Sequence, residues 1–186
     1  MTRDELEHII RASADVTDQY EFIIVGSQSI LGPVPNPAGV FTMSAEADIY
    51  PLQAPELAER IDGAIGEGSQ FHQTYGYYAQ GVGPETAILP RGWIDRVHRV
   101  QSAATNQRVG YCLDLTDLFM SKAAAGRDKD REFCMAMLSH RYVRPEVVLD
   151  LVSAMPLDDA AQRRLKAAIR RWAKAVETLG DDVPRA

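Results

Sequence analysis

Two short stretches carry the residue types that could do chemistry. Phe22-Ile23-Ile24-Val25-Gly26-Ser27 is an apolar, β-branched run that breaks into a Gly-Ser pair. It predicts a buried strand, a tight turn and Ser27 as the cap of a short helix. A turn at a helix N-terminus presents backbone N–H groups, and these suit a phosphate. Downstream, Ser44-Ala45-Glu46-Ala47-Asp48-Ile49-Tyr50 reads as a strand whose two acids, two residues apart, project from one face. Same-face carboxylates repel unless something neutralises them, and a divalent metal carrying a nucleotide phosphate does so. Gly26-Ser27 for phosphate and Glu46-x-Asp48 for Mg²⁺ (or Mn²⁺) form the physical minimum for nucleotidyl transfer.

In this order the two motifs resemble the DNA polymerase β-like nucleotidyltransferase superfamily. A later segment, Lys122, a short spacer, then Arg127-Asp128-Lys129-Asp130, resembles the signature of the abortive-infection toxin-type (AbiEii-like) nucleotidyltransferases and their uncharacterised relatives. The resemblance implies an NTP substrate whose phosphates are bridged by the metal to Glu46 and Asp48. It also implies nucleotide contacts from Lys122 and from Arg127 or Lys129, with Asp130 orienting a cation or the acceptor. In the superfamily a third carboxylate comes from a later central strand, and Asp95 is the best-placed candidate; a surface acid paired with Arg91 or Arg99 is the other reading. The first metal acid is Glu46 where Asp is more common, and the extra methylene moves the carboxylate by roughly one C–C bond length.

The elements that must position these groups follow from periodicity. Residues 3–14 read as an amphipathic helix with Leu6, Ile9 and Ile10 inward. Strands are expected over 20–25, 45–51 and 109–113, with a helix over 55–65 ended by Gly66-Glu67-Gly68. Gly32-Pro33-Val34-Pro35-Asn36-Pro37-Ala38-Gly39 excludes helix and central strand, and is either a plain connector or a lid flanking the nucleotide. The aromatic segment over 69–85 either stacks a base or packs its rings on the sheet. Thr86–Leu89 and Trp93–Gln101 look like paired strands turning at Pro90-Arg91-Gly92, with His98 a solvated strand residue. Asp114 or Thr116 is the natural N-cap of a helix carrying Lys122, and the chain breaks at Gly126 into a second helix. The last third reads as helices, one over 145–155 and a longer one from Asp158 to about Leu179. The longer helix shows Arg163, Arg164, Lys166, Arg170, Arg171 and Lys174 on one face, either solvated or docking an RNA backbone or an acidic partner.

The fold expected is therefore α/β (α+β): a nucleotidyltransferase-like mixed sheet flanked by helices over 1–114, a helical region over 115–180, and a flexible tail over 181–186. The 186 residues suffice for a real core, and a formal net charge of −6 argues against a generic nucleic-acid binder. No apolar run approaches the roughly 20 residues of a membrane helix and no signal core follows Met1, so a cytoplasmic protein is expected. Cys112 and Cys134 lack metal-ligand spacing and read as buried free thiols, with no disulfide. Function divides into three readings. One is an enzyme moving a nucleoside monophosphate from an NTP to a tRNA end, a protein or a small molecule, with a toxin of a toxin–antitoxin pair as its biological setting and a cognate antitoxin as partner. The second is a catalytically weak nucleotide-binding or regulatory module on the same fold. A helical nucleic-acid-binding adaptor rests only on the basic C-terminal face.

Overall fold

The apolar run after Tyr20 forms β1 (Glu21–Val25), and the sheet is laid out from it. On one side β1 pairs antiparallel with β2 (Glu46–Pro51), and on the other it runs parallel to β5 (Val109–Cys112). Strand β3 (Tyr78–Gly81) adds to β2 in parallel, and β4 (His98–Val100) adds to β5 antiparallel. The five-stranded mixed sheet thus has the order β3-β2-β1-β5-β4. A computed structural model describes the backbone of residues 1–181 and the side chains as far as Thr178. The chain forms two compact units, one of residues 1–87 and 94–114, the other of 88–93 with the chain from 115 onward.

In the first unit the two faces of the sheet differ, as the alternation of β2 requires. Phe22, Ile24, Ala47, Ile49, Ala79 and Cys112 share one face and are fully buried. Helix α1 (Arg3–Thr17) closes on this face with Leu6, Ile9 and Ile10, all fully buried. Its start is fixed by a capping box: Thr2 Oγ1 accepts from Glu5 N–H and Glu5 Oε2 accepts from Thr2 N–H. Helix α2 (Ala58–Ile65) buries Ala58, Ile61 and Ile65. It approaches β3 at Gly81, where an added Cβ would overlap the Ala58 carbonyl oxygen. Helix α3 (Gln70–Tyr75) leads into β3, and its rings pack with His8 of α1 rather than standing free: Tyr75 lies 4.6 Å and Phe71 5.0 Å from the His8 ring, centroid to centroid.

The second unit is helical. It comprises α4 (Leu115–Ala125), α5 (Asp128–Ser139), α6 (Pro145–Leu151) and α7 (Asp159–Asp181). Its core holds Phe119, Met120, Met137, Val148 and Ile169, all fully buried, with Trp172 edge-on to Phe119 at 6.4 Å. Helix α7 follows the expected 3.6-residue period through the basic stretch. Of the tail expected over 181–186, residues 182–186 lie outside the described residues. Among the described residues, no helix is long and apolar enough to cross a membrane. Cys112 and Cys134 are both buried free thiols, and burial pushes the Cys112 thiol up to about 12.

The expected hairpin over 86–101 does not form. Pro84–Thr86 and Trp93–Arg96 are 3₁₀ turns, and only His98–Val100 is strand. Other bonds take the backbone groups instead: Thr86 N–H donates locally to Gly83 C=O and Trp93 N–H to Pro90 C=O, while Arg91 N–H reaches the distant Ala154 C=O. Pro84, at the start of the first turn, has no N–H to give to a strand ladder.

Because the obstacle at Gly81 is backbone rather than a movable side-chain end, Gly81→Ala should lower unfolding free energy by at least about 2 kcal/mol. Urea titration followed by circular dichroism measures it; a variant as stable as wild type would contradict this packing.

Candidate active site

The register Val25↔Asp48 places the second acid beside the end of β1, where the chain turns at Gly26. Gly26 adopts φ +66, a left-handed conformation that favours glycine. A Cβ there would overlap Asp48 Oδ2, so the turn and the carboxylate are in direct contact only because residue 26 has no side chain. The helix expected after the turn is a 3₁₀ segment, Ser27–Leu31, with Gly26 in the N-cap position; Ser27 is its first residue and not its cap. Within the segment Gln28, Ser29, Ile30 and Leu31 are all buried, the last two anchoring it in the core.

Glu46 lies two residues before Asp48 on the same face of β2, and both side chains are half-buried. Across the parallel pairing stand Tyr78 opposite Glu46 and Gln80 opposite Asp48. The Tyr78 hydroxyl donates to Glu46 Oε2 at 3.0 Å. Burial, followed by the bond to Glu46 and its charge, pushes the Tyr78 hydroxyl up to about 12, so it remains a donor at neutral pH. On this face β2 and β3 therefore present two acids, a phenol and an amide in a block of two by two, beside the buried Ile23 and Val25 of β1.

Asp95 takes a different place from the strand foreseen for it. It is exposed on the 3₁₀ turn Trp93–Arg96, outside any strand. Among the described residues, no three His, Cys, Asp or Glu side chains gather as a metal-binding group. His98, read from the sequence as solvated, faces Asp114, with Nε2 3.1 Å from Oδ2. That pair brings together positions 16 residues apart and has no signature in sequence spacing.

Lys122, Arg127, Lys129 and Asp130 lie in the second unit, around the break between α4 and α5. Gly126 turns the chain with φ +68. Asp130 is fully buried and accepts from both cations: Lys122 Nζ at 3.2 Å, Arg127 Nε at 2.6 Å and Arg127 Nη2 at 3.3 Å. Lys122 is itself buried and also lies over the Phe133 ring at 5.4 Å. Burial alone would raise the Asp130 pKa; the bonds and charges of Arg127 and Lys122 outweigh it and hold the carboxyl below its ordinary value. Arg127 and Lys129 are exposed, in contrast to the pair beneath them. In the same unit a groove of about 790 Å³ is floored by Ala124, Ala168 and Trp172 and rimmed by Arg131, Arg164 and Arg171, so part of the basic face of α7 lines a cleft.

The Asp130 cluster sets a pH dependence. Its lowered folded-state pKa means that its contribution is complete above the ordinary aspartate value of about 3.9 and is lost as pH falls through the folded value. Asp130→Asn leaves the Lys122 charge buried without its partner, at a cost of about 3–5 kcal/mol. Arg127→Ala should cost no more than about 1 kcal/mol, since the Arg127 side chain is 60% exposed and Lys122 remains. Denaturant titrations from pH 3 to 7 on the three proteins check the order; equal losses would contradict it.

A family model described as "Nucleotidyltransferase of unknown function (DUF6036)" matches residues 4–179. No curated protein and no solved structure matches the chain. The matched span takes in the Gly26 turn, both β2 acids and the Asp130 cluster, and the chain belongs to this family of nucleotidyltransferases of unknown function.

Proposed function

We propose that the chain binds an NTP with Mg²⁺ (or Mn²⁺) at the Gly26-Ser27 turn and the Glu46–Asp48 pair, and transfers its nucleoside monophosphate to an acceptor hydroxyl. The observation that carries this reading is the contact between the Gly26 turn and the Asp48 carboxylate, with Glu46 on the same face. The donor set fits the ion. Mg²⁺ is usually held by one or two carboxylates plus substrate phosphates and water, and two carboxylates are what this face offers. Protein ligands alone leave such a shell incomplete, so metal and nucleotide should bind as a linked pair. The bound ion would neutralise the phosphates and the leaving pyrophosphate.

The residues have distinct tasks in this proposal. Gly26, having no Cβ, lets the Asp48 carboxylate stand against the turn whose backbone would meet the phosphates. Glu46 and Asp48 would hold the cation, whose charge would help orient and neutralise the nucleotide's phosphates for attack by the acceptor oxygen. For the second unit the toxin-type resemblance implies nucleotide contacts from Lys122 and from Arg127 or Lys129, with Asp130 orienting a cation or the acceptor; Lys122 and Arg127 both pair with Asp130. The acceptor in this proposal is a tRNA 3′ end, a protein hydroxyl or a small molecule, and a toxin–antitoxin pair is the biological setting. A second reading, a nucleotide-binding module without turnover, has its own support: Gln80, not an acid, stands opposite Asp48.

Calorimetric titration of the four NTPs with and without Mg²⁺, on wild type and on Glu46→Ala/Asp48→Ala, tests the proposal. Binding that requires Mg²⁺ and disappears in the double variant is the expected outcome. Transfer of label from an α-labelled NTP to tRNA would then separate the enzyme from the module without turnover. No NTP binding, or equal binding by the double variant, would remove the site.

A further inference from the structure

Glu46 carries one more side-chain torsion than Asp48, and a carboxylate that must meet a small, geometrically demanding ion gains from having that freedom removed beforehand. The structure contains a device that does so. Tyr78 stands directly opposite Glu46 in the β2–β3 pairing, and its backbone N–H donates to Ala45 C=O at 3.0 Å, which locks the register. Its hydroxyl donates to Oε2 of Glu46 at 3.0 Å, and no other hydrogen bond reaches that carboxylate among the described residues. The Tyr78 ring is held in turn. The His72 ring lies against it at 4.6 Å, tilted by 48°. His72 is fixed at two points: its Nδ1 accepts from Gly68 N–H at 3.0 Å, and its backbone N–H donates to Ser69 Oγ at 3.1 Å. A turn, a helix start and a strand thus converge on one oxygen of one carboxylate.

We propose that Tyr78 is a positioning residue for Glu46: by occupying Oε2 it holds the carboxylate in a single orientation and leaves Oε1 for the divalent cation. This rests on the metal reading of Glu46 and Asp48 given above, and deepens it by naming the residue that prepares the site. Outer partners of metal ligands act in this way, and their loss typically weakens metal affinity by about 10–100-fold. Tyr78 itself does not touch the nucleotide's reacting atoms in this scheme.

The test is a double-variant cycle read by Mn²⁺ binding rather than by turnover. Mn²⁺ affinity is measured by electron paramagnetic resonance, alone and with a non-hydrolysable ATP analogue, for wild type, Tyr78→Phe, Glu46→Ala and the double variant. Tyr78→Phe keeps the ring beside His72 and deletes only the hydroxyl, and thermal melts confirm that each variant is folded. The expected result is a loss of about tenfold or more for Tyr78→Phe, and no further loss when it is added to Glu46→Ala, because the phenol acts through that carboxylate. If Glu46→Ala weakens Mn²⁺ but Tyr78→Phe binds as wild type does, the inference fails and the metal reading stands. Losses that add in the double variant also overturn it, since Tyr78 would then act independently of Glu46. Wild-type protein that binds no Mn²⁺ in either condition removes the metal reading and the inference together.

Discussion

The antiparallel register that sets Val25 opposite Asp48 is the constraint on which the rest of the first unit depends. Side chains alternate along a strand, so a slip of one residue in β2 would send Glu46 and Asp48 to the face packed by α1 and α2, and Ala47 and Ile49 to the opposite one. The hydrophobic requirement and the chemical requirement are therefore met by the same register. Ala47 and Ile49 are fully buried while Glu46 and Asp48, which alternate with them, are not. Gly26 then ties the register to the turn, since any side chain at that position would compete with Asp48 for space.

The second unit solves a different problem. A carboxylate with no exposure would be costly on its own, and it persists at position 130 because two cations converge on it. One of these is buried and one exposed, so the cluster joins the interior to the surface across a helix break. Of the influences that hold the Asp130 pKa down, the Arg127 hydrogen bond is the largest and the Lys122 charge comes next, although Arg127 is exposed and Lys122 buried.

What the sequence made legible follows from what each signal depends on. The apolar run of β1, the alternation of β2 and the 3.6-residue period of α7 are local patterns, and the corresponding elements are present within a few residues. The segment 93–100 alternates equally well as a strand, yet turns form over its first half, because alternation does not reveal which backbone groups find local partners. Lys122 and Asp130 stood out as a motif, but their pairing depends on how Gly126 redirects the chain, which spacing alone does not specify. Tyr78 was hidden among aromatic residues. The signal that could have found it is Tyr78-Ala79-Gln80-Gly81, a short alternation of large polar and small residues that mirrors Glu46-Ala47-Asp48-Ile49 across the sheet. Pairings such as His98 with Asp114 need the register of β4 on β5, which no local pattern carries.

The two cysteines have a consequence beyond packing. One thiol is enclosed in each unit, Cys112 behind the sheet and Cys134 beneath α4, where it reaches the Phe119 carbonyl. Burial also suppresses the thiolate, the only form that reacts with alkylating or disulfide reagents. Neither sulfur can be modified until its own surroundings open. The native chain therefore contains a built-in chemical clock for each half, and the rates at which the two sulfurs become labelled would report how independently the sheet and the helices come apart.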